Sequence, residues 1–216
     1  MKLVILKKGV HDDQGSVSQE IENHISKICS AVVLLKAEKP GEKNIIADTG
    51  SPGYADEILA SLKKEGLKPE DIEFVLITHT HMDHVFNTYL FRNASIVRGR
   101  IVDYPNQTLT MFKSSDSVKI PGVAILPTPG HAENHTSYVV KSGGKTYVIA
   151  GDAIREERIK TGTFGVPPNQ EYIDSARKIA EIADVIIPGH GRIIQGKDLD
   201  ELRKAVYKMK FKERIK

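Results

Sequence analysis

Short apolar runs recur along the chain, separated by turns rich in glycine, proline and asparagine or aspartate. Leu3 to Leu6 predicts a strand, and the polar stretch HDDQGSVSQEIENHIS after it, which has no apolar period, predicts a surface loop. Ala31 to Leu35 and Asn44 to Ala47 predict a strand pair around the turn-rich EKPGEK. Ile58, Leu59, Leu62 and Leu67 recur at helical spacing after Ser51-Pro52, which reads as an N-cap followed by a proline in the first turn. Phe74-Val75-Leu76-Ile77 lacks polar alternation, the mark of a strand buried on both faces, and it stops at Thr78. Val85 to Phe91 predicts a short helix and Ser95 to Val97 a strand. Val118 to Ile120, Val123 to Leu126, Tyr138 to Val140 and Tyr147 to Ala150 predict further strands, the last two joined by the hairpin sequence SGGK. A loop with Gly162, Gly165, Pro167 and Pro168 leads to a helix near Glu171 to Ala183, then a strand from Val185 to Ile187 ends at PGHG, and a last helix starts near Lys197. Strand runs interrupted by helices in both halves predict an α/β protein of two sheets covered by helices, and periodicity alone leaves a three-layer arrangement open.

The chain has 216 residues, of which 40% are hydrophobic and 27% charged, which suits one globular domain over 1–216. The charge balance, 31 basic against 28 acidic residues, does not indicate nucleic acid or membrane by itself. Only the end is lopsided: Arg203 to Lys216 carries seven basic residues and one acid, Glu213, a pattern expected of an amphipathic helix with a solvated basic face. A phosphate- or RNA-binding tail is the alternative. The apolar run near the start is shorter than the roughly 7 to 15 residues of a secretory leader, no stretch is long enough to span a bilayer, and Cys29 is the sole cysteine. The expectation is therefore a cytoplasmic protein with no membrane partner, Cys29 serving as a small buried hydrophobe.

Candidate chemistry concentrates in THTHMDH, residues 78–84. His79 and His81 stand two apart at the end of a buried strand, so an extended backbone points both imidazoles to one side. With Asp83 and His84 this segment offers more ligands than one zinc needs from one loop, which suggests two metals and partners elsewhere. Three candidates sit at other strand ends beside glycine or proline: His131 in TPGH, Asp152 in AGD and His190 in IPGH. HAENH, residues 131–135, has two histidines four apart, but it lacks helical periodicity and its glutamate is misplaced for a zinc protease. His11 and His24 read as surface histidines of the N-terminal loop, and Arg155 as a surface arginine with an anionic-substrate contact as the alternative. Phe164 is expected at the mouth of the site.

In order and spacing, HTHMDH, TPGH131, GD152 and PGH190 resemble the motif set of the metallo-β-lactamase superfamily, and Asp48-Thr49-Gly50 resembles its first motif. The resemblance runs from about residue 45 to 192. It implies a four-layer αββα sandwich with the site along one sheet edge. It makes His79, His81 and His131 the ligands of one metal, Asp83, His84 and His190 those of a second, and Asp152 the bridge. Asp48 and His135 would support the site without touching metal. The implied cofactor is a pair of divalent ions, zinc first, with iron or manganese compatible. The resemblance also implies Asp83 and Asp152 as the catalytic carboxylates, and a hydroxide bridging the ions is the expected nucleophile.

The superfamily cleaves thioesters, lactones, β-lactams and phosphodiesters, so the motifs give a reaction type rather than a substrate. The glutamate that a flavodiiron protein would show at the position of His81 is absent, as are the insert of the β-CASP branch and the extra helical domain of glyoxalase II. What remains is similar to the small single-domain branch called metallo-β-lactamase domain-containing protein 1, linked to nucleic-acid cleavage. A binuclear hydrolase acting on a phosphodiester or nucleic acid is the leading expectation. The alternatives are a thioesterase or lactonase, a mononuclear iron persulfide dioxygenase, and a non-catalytic metal- or nucleic-acid-binding module. A small-molecule or nucleic-acid substrate is the expected partner, and a homodimer is compatible with the chain.

Overall fold

The computed structural model describes residues 1–11, 28–162 and 169–210. His24, Phe164, Glu213 and most of the polar N-terminal stretch lie outside them. One sheet has seven strands in the order β1 (Lys2–Lys7), β4 (Val32–Lys36), β5 (Ile45–Ala47), β6 (Phe74–Ile77), β7 (Ser95–Arg98), β8 (Ile101–Asp103) and β9 (Leu109–Met111). The other has five, β10 (Val123–Pro127), β11 (Thr136–Ser142), β12 (Lys145–Gly151), β13 (Val185–Pro188) and β14 (Ile194–Gln195). A small hairpin, β2 (Val10–His11) with β3 (Ile28–Cys29), stands apart from both.

The continuous apolar runs divide by parity, because successive side chains on a strand face opposite ways. Val33, Leu35, Ile45, Ala47 and Leu76 face Tyr138, Val140, Ile149 and Ile187 in a core between the sheets. Their neighbours Val32, Leu34, Ile46, Val75 and Ile77 form a second cluster on the outer face with Ile58 and Leu62 of α1 (Ala55–Lys64). Val148, Ala150 and Ile186 form a third with α3 (Glu156–Thr161), α4 (Gln170–Ile182) and α5 (Lys197–Lys208). Helix, sheet, sheet, helix is the resulting order: an αββα sandwich. Two arginines lock the outer helices reciprocally. Arg203 on α5 donates to the Ala180 and Ala183 carbonyls at the end of α4, and Arg177 on α4 donates to the Met209 carbonyl at the end of α5.

Most expected elements form, with shifted bounds. The SGGK turn has Gly143 at φ 56° and Gly144 at φ 75°, the double positive φ of a type I′ hairpin. The expected helix at Ile58 starts with a 3-10 turn, Pro52–Tyr54, and stops at Lys64, so Leu67 packs from outside it. The short helix expected at Val85 is α2 (Met82–Val85), which passes into a 3-10 turn, Phe86–Leu90. Val118 to Ile120 is not a strand: it lies between a 3-10 turn, Ser115–Ser117, and the Pro121-Gly122 reversal, and Ile120 makes only an isolated bridge to Val123. Its apolar side chains still belong to the inter-sheet core. Strands β8 and β9 and helix α3 carry too little apolar pattern to be foreseen.

Four strands, two from each sheet, leave their carboxyl ends at one edge. β5 pairs parallel to β6, and β12 parallel to β13. At that edge the sheets are tied directly, with Thr136 N donating to the Thr78 carbonyl at 2.8 Å and the Tyr138 hydroxyl reaching the Ile77 and Val97 carbonyls at 2.8 and 3.1 Å.

Candidate metal centre

Every residue singled out by the motifs follows a strand that ends at this edge: Asp48 after β5, His79 after β6, His131 after β10, Asp152 after β12 and His190 after β13. Side chains of the seven expected ligands gather into three overlapping groups among the described residues: His79, His81 and His131; His79, His84 and Asp152; Asp83, His84 and His190. Within each, one ligand atom per residue lies within 4.8 Å of the others. His81 Nδ1 lies 2.9 Å from His79 Nε2 and 3.2 Å from His131 Nε2. On the other side, His190 Nε2 lies 3.0 Å from Asp83 Oδ2. The two oxygens of Asp152 diverge. Oδ2 faces His131 Nε2 at 3.4 Å, whereas Oδ1 faces His84 Nε2 at 3.5 Å and His190 Nε2 at 3.4 Å.

The supporting hydrogen bonds fix which ring nitrogen is free. His84 Nδ1 donates to Asp48 Oδ2 at 2.7 Å, so its Nε2 lone pair points at Asp152. Asp48 also accepts from the Thr78 amide and hydroxyl, both at 2.8 Å. The motif resemblance puts Asp48 in support of the site, and the residue it supports is His84. His190 Nδ1 donates to the Val10 carbonyl at 3.1 Å, which again frees Nε2. His135 touches no other ring nitrogen by hydrogen bond. It accepts from the Asp152 amide at Nε2, at 3.2 Å, and donates from Nδ1 to the Thr128 hydroxyl, which donates to Ser137, whose hydroxyl donates to the Ala150 carbonyl.

Electrostatics follow from burial and these pairings. Burial, reinforced by His84 and His135, pushes the His79 imidazole far below its ordinary pKa. Burial also takes His131 down to about 4 and His135 to about 3. His84 goes the other way: burial opposes its charge, but the Asp48 and Asp152 carboxylates outweigh that cost and raise it to about 10. Burial likewise works against charge on Asp152, yet His84, His190 and Arg155 hold its carboxyl well below the usual range. The cluster thus combines neutral imidazoles, an ionised carboxylate and a point that favours positive charge. The neutral imidazoles and the ionised carboxylate are the states metal binding requires, and a cation at His84 would take the place of the Nε2 proton that the two carboxylates favour. His84 Nε2, Asp152 Oδ1 and His190 Nε2 are buried and lack hydrogen-bond partners, although buried polar atoms are ordinarily satisfied. A Cβ on Gly189 would collide with Asp152 Oδ1 and the His84 ring. The donor set, its orphaned atoms and this clearance all fit divalent cations.

Two residues differ from expectation. His11 is half-buried at the end of β2, its ring edge-on to His190 with centroids 5.5 Å apart. Arg155 is no surface arginine: its side chain is 13% exposed, and NH1 lies 3.3 Å from Asp152 Oδ2. Neither sits in a motif, so only the fold brings them in. Beside His79 and His135 opens a groove of about 850 Å³, lined on its far wall by Arg98, Arg100, Met111, Ser114 and Ser115. Arg98 is neutralised by Asp103 at 2.7 Å, whereas Arg100 makes one long bond to the Phe112 carbonyl, 3.5 Å.

The profile of the metallo-β-lactamase superfamily matches residues 28–190. Over 188 residues the chain is 31% identical to metallo-beta-lactamase domain-containing protein 1 of Xenopus laevis, covering 81% of this chain and 76% of that one. It is 28% identical to the human protein of that name over 160 residues, 71% of this chain, and spans only 60% of the human protein's length. It is 31% identical over 164 residues, 72% of this chain, to an atrochrysone carboxyl ACP thioesterase of Aspergillus fumigatus and spans about half of it, 49%. A crystal structure of a Thermotoga maritima protein of metallo-β-lactamase type superposes with a TM-score of 0.67 at 22% identity, covering 90% of this chain and 99% of that one. The profile match takes in every ligand candidate from His79 to His190, and the sandwich that presents them is the fold of that structure: the chain belongs to the metallo-β-lactamase superfamily.

Proposed function

We propose that the protein is a binuclear metal-dependent hydrolase that cleaves a phosphodiester. The observation that carries the two-ion reading is the divergence of the Asp152 oxygens, one toward His131 and the other toward His84 and His190. His79, His81 and His131 would hold one ion, Asp83, His84 and His190 the other, with Asp152 shared. Zinc suits a site of imidazole and carboxylate donors. Two divalent ions, when bound, supply Lewis acidity that brings the pKa of water from about 15.7 to about 7 and neutralise charge at the reacting group.

The chain's own part is orientation and exclusion of water. Asp48 and the Val10 carbonyl hold the His84 and His190 rings in the tautomer that presents Nε2. Asp83, its side chain 15% exposed beside His190, is the ligand carboxylate with the most access to substrate and solvent. The groove past His79 has room for groups beyond the scissile bond, and Arg100 and the Ser114 and Ser115 hydroxyls offer a phosphate-bearing strand both charge and hydrogen bonds. Similarity to a fungal thioesterase favours a second reading, in which the same centre cleaves a thioester.

Metal analysis of the purified protein, with rates on a bis-aryl phosphodiester, short RNA, a thioester and a lactone, separates these. Two ions per chain, phosphodiester turnover and loss of that turnover in Asp83→Ala are expected. Full activity of Asp83→Ala with one iron bound would overturn the binuclear hydrolase. Thioester turnover alone would replace the first substrate class by the second.

A further inference from the structure

We propose that Arg155 is a positioning residue that makes the two halves of the centre unequal: the half built from Asp83, His84 and His190 takes the first divalent cation, and the half built from His79, His81 and His131 takes the second with lower affinity. This rests on the two-ion reading above. The three-histidine half brings no formal charge of its own. The other half brings Asp83, and behind His84 stands the Asp48 carboxylate at 2.7 Å. Asp152 is the charge the halves share, and Arg155 makes its two oxygens inequivalent. NH1 lies 3.3 Å from Oδ2, the oxygen that faces His131, while Oδ1, facing His84 and His190, meets no lysine or arginine among the described residues.

A guanidinium beside Oδ2 offsets that oxygen's charge and repels a dication on the same side. With NH1 buried, water screens little of this. Arginine cannot relieve the repulsion by losing its proton. The guanidinium is also largely shut off from solvent, with its side chain 13% exposed beside that carboxylate. Preorganisation acts in the same direction. His84 and His190 are buried with their Nδ1 atoms pinned, whereas His81 is exposed and its Nδ1 meets only the other two histidines of its half.

The test is a Zn²⁺ titration of chelator-stripped full-length protein, followed by calorimetry and by imidazole ¹⁵N NMR. Two steps at least about tenfold apart are expected, with His84 and His190 shifting in the first and His81 and His131 in the second. Arg155→Gln should tighten the second step by on the order of tenfold, the lower range for residues behind metal ligands, and so narrow the gap. Arg155→Lys, which keeps the charge, should preserve the gap. Coincident steps in the unaltered protein, reversed order of the histidine shifts, or equal weakening of both steps by Arg155→Gln would each overturn the inference. Should Arg155→Gln fail to fold by circular dichroism, the order of shifts in the unaltered protein and the Arg155→Lys gap decide. A single ion at saturation would remove the two-ion reading together with the inference. Two ordered steps without turnover of any ester would support the inference and reject only the hydrolytic reading.

Discussion

A methyl group at position 189 would meet both Asp152 Oδ1 and the His84 ring, so the glycine of IPGH is required for space rather than for its backbone conformation. Gly189→Ala is expected to weaken zinc binding by about 10- to 100-fold while the far-ultraviolet circular dichroism stays native, which calorimetry beside spectroscopy will check. Asp48→Asn should cost a comparable factor in affinity, because an amide cannot hold the His84 Nδ1 proton as a carboxylate does. The seven ligand candidates were legible because each stands in a turn motif at a strand end. The partners behind them were not. Asp48 reaches His84 only because β5 and β6 run parallel with Ala47 opposite Leu76, and Arg155 reaches Asp152 only because the chain turns into α3. Pairings of that kind depend on register across strands, which local pattern does not encode.

Strands buried on both faces announce themselves as unbroken apolar runs, and β4, β5, β6, β12 and β13 lay within a residue or two of where those runs place them. Edge elements carry weaker marks. β9, with Leu109, Thr110 and Met111 all exposed, has no apolar face to read. At Val118–Ile120 a true apolar pattern packs into the core as irregular chain, because Pro121 lacks the amide that would extend a ladder. Tyr138 is the element-scale tie between sheets. Tyr138→Phe removes the one buried proton that the Ile77 and Val97 carbonyls share and is expected to lower stability by about 1–3 kcal/mol in urea unfolding. The loop after His190 is fastened by Arg192, which pairs with Glu156 of α3 at 2.9 Å and Asp198 of α5 at 2.8 Å. Arg192 and Lys160 hold the Glu156 carboxyl below its ordinary value of 4.5. A lowered folded-state pKa contributes stability present above 4.5 and lost as pH falls through the folded value. Glu156→Gln should therefore flatten part of the acid limb of the stability profile, by at most about 1 kcal/mol since Arg192 is largely exposed.

Ions held at the shared edge would draw ligands from both sheets at once: His79, His81, Asp83 and His84 follow β6, whereas His131, Asp152 and His190 follow β10, β12 and β13. Metal binding is then linked to the stability of the whole sandwich. At a free concentration of about 100 times Kd, one ion adds about 2.7 kcal/mol, which for a chain of this size corresponds to roughly 5–10 °C in melting temperature. Chelation is expected to lower the melting temperature by at least that much, and scanning calorimetry with and without a chelator measures it. No helix among the described residues is long and apolar enough to cross a membrane. The oriented run of hydrogen bonds from the Asp152 amide through His135, Thr128 and Ser137 to the Ala150 carbonyl starts and finishes at the end of β12, on either side of Gly151. It is a closed circuit, and every member's role as giver or receiver is set by the next. Anyone transplanting this centre into another sandwich would therefore have to move His135, Thr128 and Ser137 as a unit with Asp152, since exchanging one of them reverses or breaks the sense of the whole ring.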